Sequence, residues 1–356
     1  MKMQSIKIKT LKGFRLIGPG QPVFIVAEMS GNHNHSYNQA KRIIDAAVEA
    51  GVDAIKLQTY TPDTITIDCD NKYFQIKTDN IWRGQTLYQL YRQSYTPWAW
   101  QPRLKKYAEQ KGLIFFSTPF DPTAVDFLEK IKIPLYKIGS FEVVDIPLLK
   151  RIGQTRKPVI MSRGMSTLGE LKLAVGTLKD NGTKELIIPQ CVSAYPCQPE
   201  EMNLKLIPDI AKKFKVISGL SDHNLTNITA IADVALGASV VEKHITLSRD
   251  LGGPDAAFSL EPEEFKQLVD SIRIIEKSLG QPIYQPAKQE KSSMQFRKSL
   301  FIVKDINQGE KFTPGNIRSI RPGYGLAPKY YDQVMNKFAS QNIKRGTPLS
   351  RRLIKK

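Results

Sequence analysis

The chain has 356 residues, 41% of them hydrophobic and 24% charged, the proportions of an ordinary globular protein rather than a disordered or fibrous one. No apolar run approaches the roughly 20 residues that span a bilayer, so no membrane partner is expected. The net charge of +18 is unevenly placed: residues 291–356 hold 15 Lys or Arg against 3 Asp or Glu, a net +12.

From the start, Met-Lys-Met-Gln-Ser-Ile-Lys-Ile-Lys lacks the apolar core of a secretion signal. Three cysteines, Cys69, Cys191 and Cys197, show no zinc-type spacing, so the expected compartment is a reduced cytoplasm. Residues 20–280 then alternate short β-branched runs with longer amphipathic ones. Strands are predicted at 23–27, 54–58, 113–117, 135–138, 159–162, 186–191, 216–220 and 239–243. Helical patterns fill most intervals, for example 39–50, with Ala40, Ile43, Ile44, Ala47 and Val48 on one face, and 262–279. Eight β-α units in about 260 residues predict an α/β fold, a closed TIM (β/α)8 barrel.

The interval between the second and third strands is too long for one helix. It holds Trp82, Tyr88, Tyr91, Tyr95, Trp98 and Trp100, an aromatic insertion that either caps the barrel mouth or packs on itself. The barrel domain is expected to cover 1–280, followed by a Pro-rich polar linker at 281–296. Residues 297–353, with short apolar runs punctuated by Gly and Pro, predict a small β-rich domain. Its positive charge suits either nucleic-acid binding or a solvated surface that helps attract an anionic substrate. The lack of aromatics interleaved with the basic residues speaks against nucleic acid.

The chemistry gathers at predicted strand ends. Strand one ends at Glu28, a candidate general base or a carboxylate oriented on a metal-bound water; the plainer alternative is a salt bridge to a neighbouring lysine. Strand two ends Ile55-Lys56-Leu57-Gln58, and strand four runs Tyr136-Lys137-Ile138-Gly139-Ser140-Phe141-Glu142. Lysines inside apolar runs are costly to bury without a partner. Two at one mouth suggest a Schiff-base lysine or a cradle for phosphate and carboxylate groups. Thr118 after strand three, Ser162 after strand five, Ser193 and Tyr195 after strand six, and Ser221 after strand seven add hydroxyls to such a cradle.

Of four histidines, His223 and His244 stand 21 residues apart, each just after an apolar run. Two imidazoles at barrel strand ends can hold a divalent metal, although either alone reads equally well as a hydrogen-bonded loop residue. With no cysteine ligand, imidazole and oxygen donors suit Mn²⁺ or Mg²⁺. Such an ion polarises a carbonyl oxygen as a Lewis acid. The residues alone reach carbon–carbon bond chemistry between a phosphorylated carboxylate and a carbonyl.

Seven motifs in order, Ala-Glu28-Met-Ser-Gly-Asn-His-Asn, Ile-Lys56-Leu-Gln-Thr-Tyr, Phe-Ser-Thr118-Pro-Phe, Lys137-Ile-Gly-Ser140-Phe-Glu142, Gly-Leu-Ser221-Asp-His223, Glu-Lys-His244 and Arg321-Pro-Gly, resemble the phosphoenolpyruvate-dependent sialic acid (nonulosonic acid) synthase family. Residues 297–353 resemble its antifreeze-like SAF domain. Leu-Tyr88-Gln-Leu-Tyr91, Thr96-Pro-Trp98-Ala-Trp100 and Gly-Pro254-Asp255-Ala-Ala-Phe258 are most similar to the pseudaminic branch; the N-acetylneuraminate and legionaminate branches share the core motifs.

The resemblance implies a transferase. Phosphoenolpyruvate, water and the open-chain aldehyde of 2,4-diacetamido-2,4,6-trideoxy-L-altrose would give a nine-carbon 2-keto acid and phosphate. Thr118, Lys137, Ser140, Ser162, Ser193, Tyr195 and Ser221, with Lys56 nearby, would hold phosphoenolpyruvate. His223 and His244 would hold the metal, Glu28 would handle the proton or water step, and Gln58, Glu142 and Asp255 would face the sugar. Arg321, a multi-donor fork, would reach the sugar's acyl group across a domain-swapped homodimer. Two positions depart from the family pattern: Arg163 replaces a usual threonine, and Ser193 stands where sialic acid synthases often carry asparagine. Whether the product decorates flagellin, capsule or lipopolysaccharide is not written in these residues.

Overall fold

Eight of the apolar runs become eight parallel strands in the computed structural model, which describes residues 5–77 and 81–355. They are preceded by a hairpin, β1 (Ile6–Thr10) and β2 (Gly13–Ile17). The barrel strands follow as β3 (Phe24–Glu28), β4 (Ala54–Thr59), β5 (Ile114–Pro119), β6 (Tyr136–Ile138), β7 (Val159–Met161), β8 (Leu186–Cys191), β9 (Ile217–Asp222) and β10 (Val240–His244). They close in chain order, with β10 pairing back onto β3 at His244 opposite Glu28. Every predicted strand end lies within two residues of the observed one. Strands covered on both faces are nearly continuous apolar runs, which is why they could be read.

Side chains alternate between the two faces of each strand. Ile25, Ala27, Ile55, Leu57, Phe115 and Val241 pack outward with the helices in one core. Phe24, Val26, Ala54, Phe116, Ile160 and Val240 form a second core inside the barrel. Ile6, Ile8 and Ile17 of the hairpin join that inner core and seal its floor. The hairpin was not predicted.

The helices cover the outside through the faces their spacing implies. Over Tyr37–Ala50, Ala40, Ile43, Ile44 and Ala47 are buried while Val48 is half-buried; the Ser36 hydroxyl accepts from the Gln39 amide and Gly51 ends the helix at φ 83°. Pro262–Leu279 buries Phe265, Leu268, Val269 and Ile272.

Gly219 is sterically required. A Cβ at Gly219 in β9 would lie 2.2 Å from the Val240 carbonyl oxygen of β10. Gly219→Ala is therefore expected to force these strands apart and cost about 1–3 kcal/mol. Urea unfolding would show this as a lower midpoint at unchanged slope.

The chain divides into two compact units, Met1–Gly280 and Gln281–Lys356. In the second, β11 (Ser299–Ile302) pairs antiparallel with β12 (Ile317–Ile320), and isolated bridges such as Ile306 to Ile343 extend the β framework. Its own core contains Leu300, Ile302, Phe312, Ile317, Ile343 and Leu349. No helix among the described residues is long and apolar enough to cross a membrane.

Candidate active site

Along each barrel strand the inward positions begin apolar at the floor and turn polar at the carboxyl end. On β3 the inward series is Phe24, Val26, Glu28; on β4 it is Ala54, Lys56, Gln58; on β10 it is Val240, Glu242, His244. The polar ends thus share one mouth, where barrel enzymes place their chemistry.

Four buried charges occupy its centre. The Lys56 ammonium lies 2.6 Å from Glu28 Oε2 and 3.7 Å from Glu242 Oε1, and Lys137 lies 3.1 Å from the same Glu242 oxygen. All four side chains are at most 5% exposed. Two ammoniums and two carboxylates give local neutrality, without which such burial would be prohibitive. Ser221 donates to Glu242 Oε1 at 2.9 Å, Thr118 Oγ1 lies 3.3 Å from Lys56 Nζ, and Gln58 donates to Glu28 Oε1 at 3.1 Å and to Ser30 at 2.9 Å.

The two acids differ in character. Burial favours protonation of both, but Lys137 and Lys56 overcome it at Glu242 and hold that carboxyl at about 2. At Glu28, burial outweighs Lys56 and pushes the carboxyl up. Glu242 is thus a fixed anion and Glu28 a group able to exchange a proton, the separation that acid–base chemistry requires. The carboxylates outweigh burial at Lys56 and raise its pKa, so the ammonium stays charged. A Schiff-base lysine needs the opposite shift; the cradle reading fits Lys56 better.

Further hydroxyls follow the ends of β6, β7 and β8. Ser193 donates to Ser140 at 2.6 Å, and Ser162 Oγ is buried without a hydrogen-bond partner. The guanidinium of Arg163 donates to the Gly164 carbonyl at 2.8 Å. Asp255 accepts from the Gly31 amide at 3.1 Å and, like Glu142, feels the charge of Lys56. Glu142 has a half-buried stem, but its Oε2 is sheltered and unpartnered. Burial lifts its carboxyl to about 7.

The sign of the resulting pH dependence follows. Between the ordinary value of 4.5 and about 7, folded Glu142 binds more protons than unfolded Glu142, so its contribution falls as pH rises. The full penalty above that window is on the order of 3 kcal/mol. Glu142→Gln should therefore gain stability relative to the parent as pH rises from 5 to 8, measured by urea unfolding. A difference that does not change with pH would contradict the shift.

The two distant histidines meet at the mouth, ring centroids 5.4 Å apart. His223 Nδ1 lies 2.8 Å from the Val192 carbonyl, which fixes the Nδ1–H tautomer and leaves Nε2 as a lone-pair donor. His244 Nδ1 is buried with no hydrogen-bond partner. Burial lowers the pKa of His223 to about 4 and that of His244 well below normal, keeping both rings neutral as ligation demands. Neutral imidazole nitrogens are the donor type that divalent ions take. Among the described residues no group of three or more His, Cys, Asp and Glu side chains is placed to hold a metal ion. His33 serves a different end: it is buried 3.0 Å from Thr96 Oγ1 and packs edge-on against Trp100.

Tyr195 packs at a tilt on His223, ring centroids 4.3 Å apart, and Phe258 meets both imidazoles edge-on. Trp82 from the aromatic insertion packs on Tyr195 and Phe258 and donates to the Pro254 carbonyl at 2.8 Å, so this part of the insertion caps the mouth. Trp98 and Trp100 instead pack on Phe127 and Tyr37 along the barrel flank. Exposed Arg321 belongs to the second unit. Glu242 was missed from sequence, although its position two residues before His244 places both on one strand face.

The NeuB family pattern matches residues 43–284, and a SAF domain follows at 297–352. The chain belongs to the NeuB family. Among NeuB-family relatives, the pseudaminic acid synthase of Helicobacter pylori is 40% identical over 93% of this chain and 97% of its own length. The N,N'-diacetyllegionaminic acid synthase of Campylobacter jejuni is 36% identical over 90% of this chain and 96% of its own. The crystal structure of N-acetylneuraminic acid synthetase from Leptospira borgpetersenii superposes with a TM-score of 0.72 at 31% identity, covering 83% of this chain and 98% of that one. The chain is thus a TIM barrel with a SAF domain, in an enzyme family whose relatives include these synthases.

Proposed function

We propose that this protein is a transferase that condenses phosphoenolpyruvate with the open-chain aldehyde of 2,4-diacetamido-2,4,6-trideoxy-L-altrose, making a pseudaminic-type nine-carbon 2-keto acid. Carbon 3 of phosphoenolpyruvate bonds to the aldehyde carbon, water adds at carbon 2, phosphate leaves, and the aldehyde oxygen gains a proton. The observation that carries the chemistry is the buried Lys56–Glu28 and Lys137–Glu242 cluster beside two neutral imidazoles. The choice of sugar leans on the 40% identity to a pseudaminic acid synthase.

In this reading Lys137 and Lys56, with Thr118, Ser140, Ser162, Ser193, Tyr195 and Ser221, bind phosphate and carboxylate oxygens. Glu28 moves the proton, and Gln58, which also donates to Glu28, joins Glu142 and Asp255 in facing the sugar's polar groups. A divalent ion, Mn²⁺ or Mg²⁺, held by His223 and His244 would supply Lewis-acid polarisation of the aldehyde oxygen. Phosphate release with Mn²⁺, comparing this sugar with N-acetylmannosamine and the legionaminic precursor, tests the proposal. Release with the first alone, lost in EDTA, supports it. Release only with another sugar moves the substrate, and release with none refutes the activity.

The same reading makes the protein a homodimer in which Arg321 of each copy completes the other copy's mouth. Mixing inactive Lys137→Met and Arg321→Ala chains under exchange should restore about a quarter of wild-type activity, since half the dimers would carry one intact site. No recovery in demonstrated mixed dimers would place Arg321 in its own subunit's site, and an Arg321→Ala chain active by itself would place it in none.

A further inference from the structure

Directly behind the two imidazoles lies a second buried ion pair that the proposed chemistry does not use. Asp222 and Lys243 are register partners on β9 and β10, their side chains at most 1% exposed and 2.7 Å apart. Each immediately precedes one histidine, so strand alternation sends the pair outward while His223 and His244 point into the mouth.

Both members are saturated. Lys243 also donates to the main-chain carbonyls of Asn224 and of Thr226, the latter at 3.1 Å, so its three protons hold three acceptors. Asp222 accepts from the Asn224 amide at 2.8 Å and from Thr229 at 3.0 Å. Asn224 in turn donates to the Cys197 carbonyl at 2.8 Å, and the Cys197 amide reaches the His223 carbonyl at 3.2 Å. The peptide segment that carries His223 is thus tied on one side to the strand of His244 and on the other to the loop after β8.

We propose that Asp222 and Lys243 are positioning residues that clamp the ends of β9 and β10 and so set the separation of His223 and His244 for a divalent cation. The inference rests on the two-imidazole metal reading above. A buried pair offers no clear stability advantage over apolar side chains of similar volume. What it adds here is directional: a saturated ammonium fixes three oxygens, all of them on residues within three of His223.

The test uses the full-length chain and Mn²⁺ alone, with binding read from the electron paramagnetic resonance signal of the free ion. Lys243→Met by itself strands a buried carboxylate, so the main variant is Asp222→Asn/Lys243→Met, which removes both charges together. It should melt cooperatively and bind phosphoenolpyruvate in EDTA within threefold of the parent, while Mn²⁺ affinity falls about 10- to 100-fold, the usual effect of losing an outer-shell support. Parental Mn²⁺ affinity in the folded variant overturns the clamp alone. Equal losses of phosphoenolpyruvate and Mn²⁺ affinity also overturn it, by showing a general effect on the barrel. A parent chain that binds no Mn²⁺ refutes the metal reading and the clamp with it. If the double variant does not fold, Asp222→Asn is measured under the same criteria.

Discussion

Lys137→Met is expected to lower kcat/KM for phosphoenolpyruvate about a thousandfold. The substitution removes a buried ammonium from the centre of the proposed phosphate cradle, the kind of fixed charge whose loss costs 10²–10³ in rate or more. It also leaves Glu242 with Ser221 at 2.9 Å and Lys56 at a longer 3.7 Å. Breaking one side of a buried pair destabilises by about 3–5 kcal/mol, so inactivity alone would be ambiguous. Lys137→Met/Glu242→Gln removes both charges and should regain most of the lost stability while staying inactive. Steady-state phosphate release and urea unfolding on the same preparations separate the two effects. An active double variant would reduce Lys137 to a structural counter-ion of Glu242.

Glu28→Gln should lower kcat by about 10²- to 10⁴-fold with little change in KM for phosphoenolpyruvate, the range expected for losing a positioned acid–base group. The amide conserves size and can still face Gln58 and Lys56, so the fold should survive. Proton exchange is lost. Because burial holds the Glu28 carboxyl above its ordinary range, one limb of the wild-type pH–rate profile should belong to it and vanish in the variant. A variant with near-normal kcat and an unchanged profile would leave Glu28 as a partner of Lys56 and nothing more. That salt bridge, at 2.6 Å, is the plainer role the sequence already suggested.

Much of the architecture was legible because the barrel separates its signals. Outward and inward faces of parallel strands are both apolar at the floor, so each strand announces itself as a run, and departures from apolarity mark its carboxyl end. Lys56, Lys137, Ser221 and Glu28 stood out for that reason. Glu242 did not, because Val-Val-Glu-Lys-His drew attention to its histidine; counting back by two from His244 would have found it. Lys243 is the converse, a lysine in an apolar strand that faces outward and is still buried, because Asp222 and two carbonyls receive it. The hairpin carries a strict Ile-Lys-Ile-Lys alternation, yet its beginning was read only for a secretion signal. The partners of Trp82 and the loop of Asp255 depend on contacts across some 170 residues of chain, which no local pattern encodes.

The floor plug has a consequence for biosynthesis. Ile6, Ile8 and Ile17 leave the ribosome before every barrel strand, but the inner core they complete includes Ile217 and Val240. For most of translation, at some 5–20 residues per second, the hairpin has no finished cavity to fill. Its aliphatic face must stay solvent-exposed or shielded by a chaperone until the last barrel strand arrives, so a segment made before the barrel is among the last to be buried. Clipping or blocking the hairpin would leave a ring closed at the wall and open at the base.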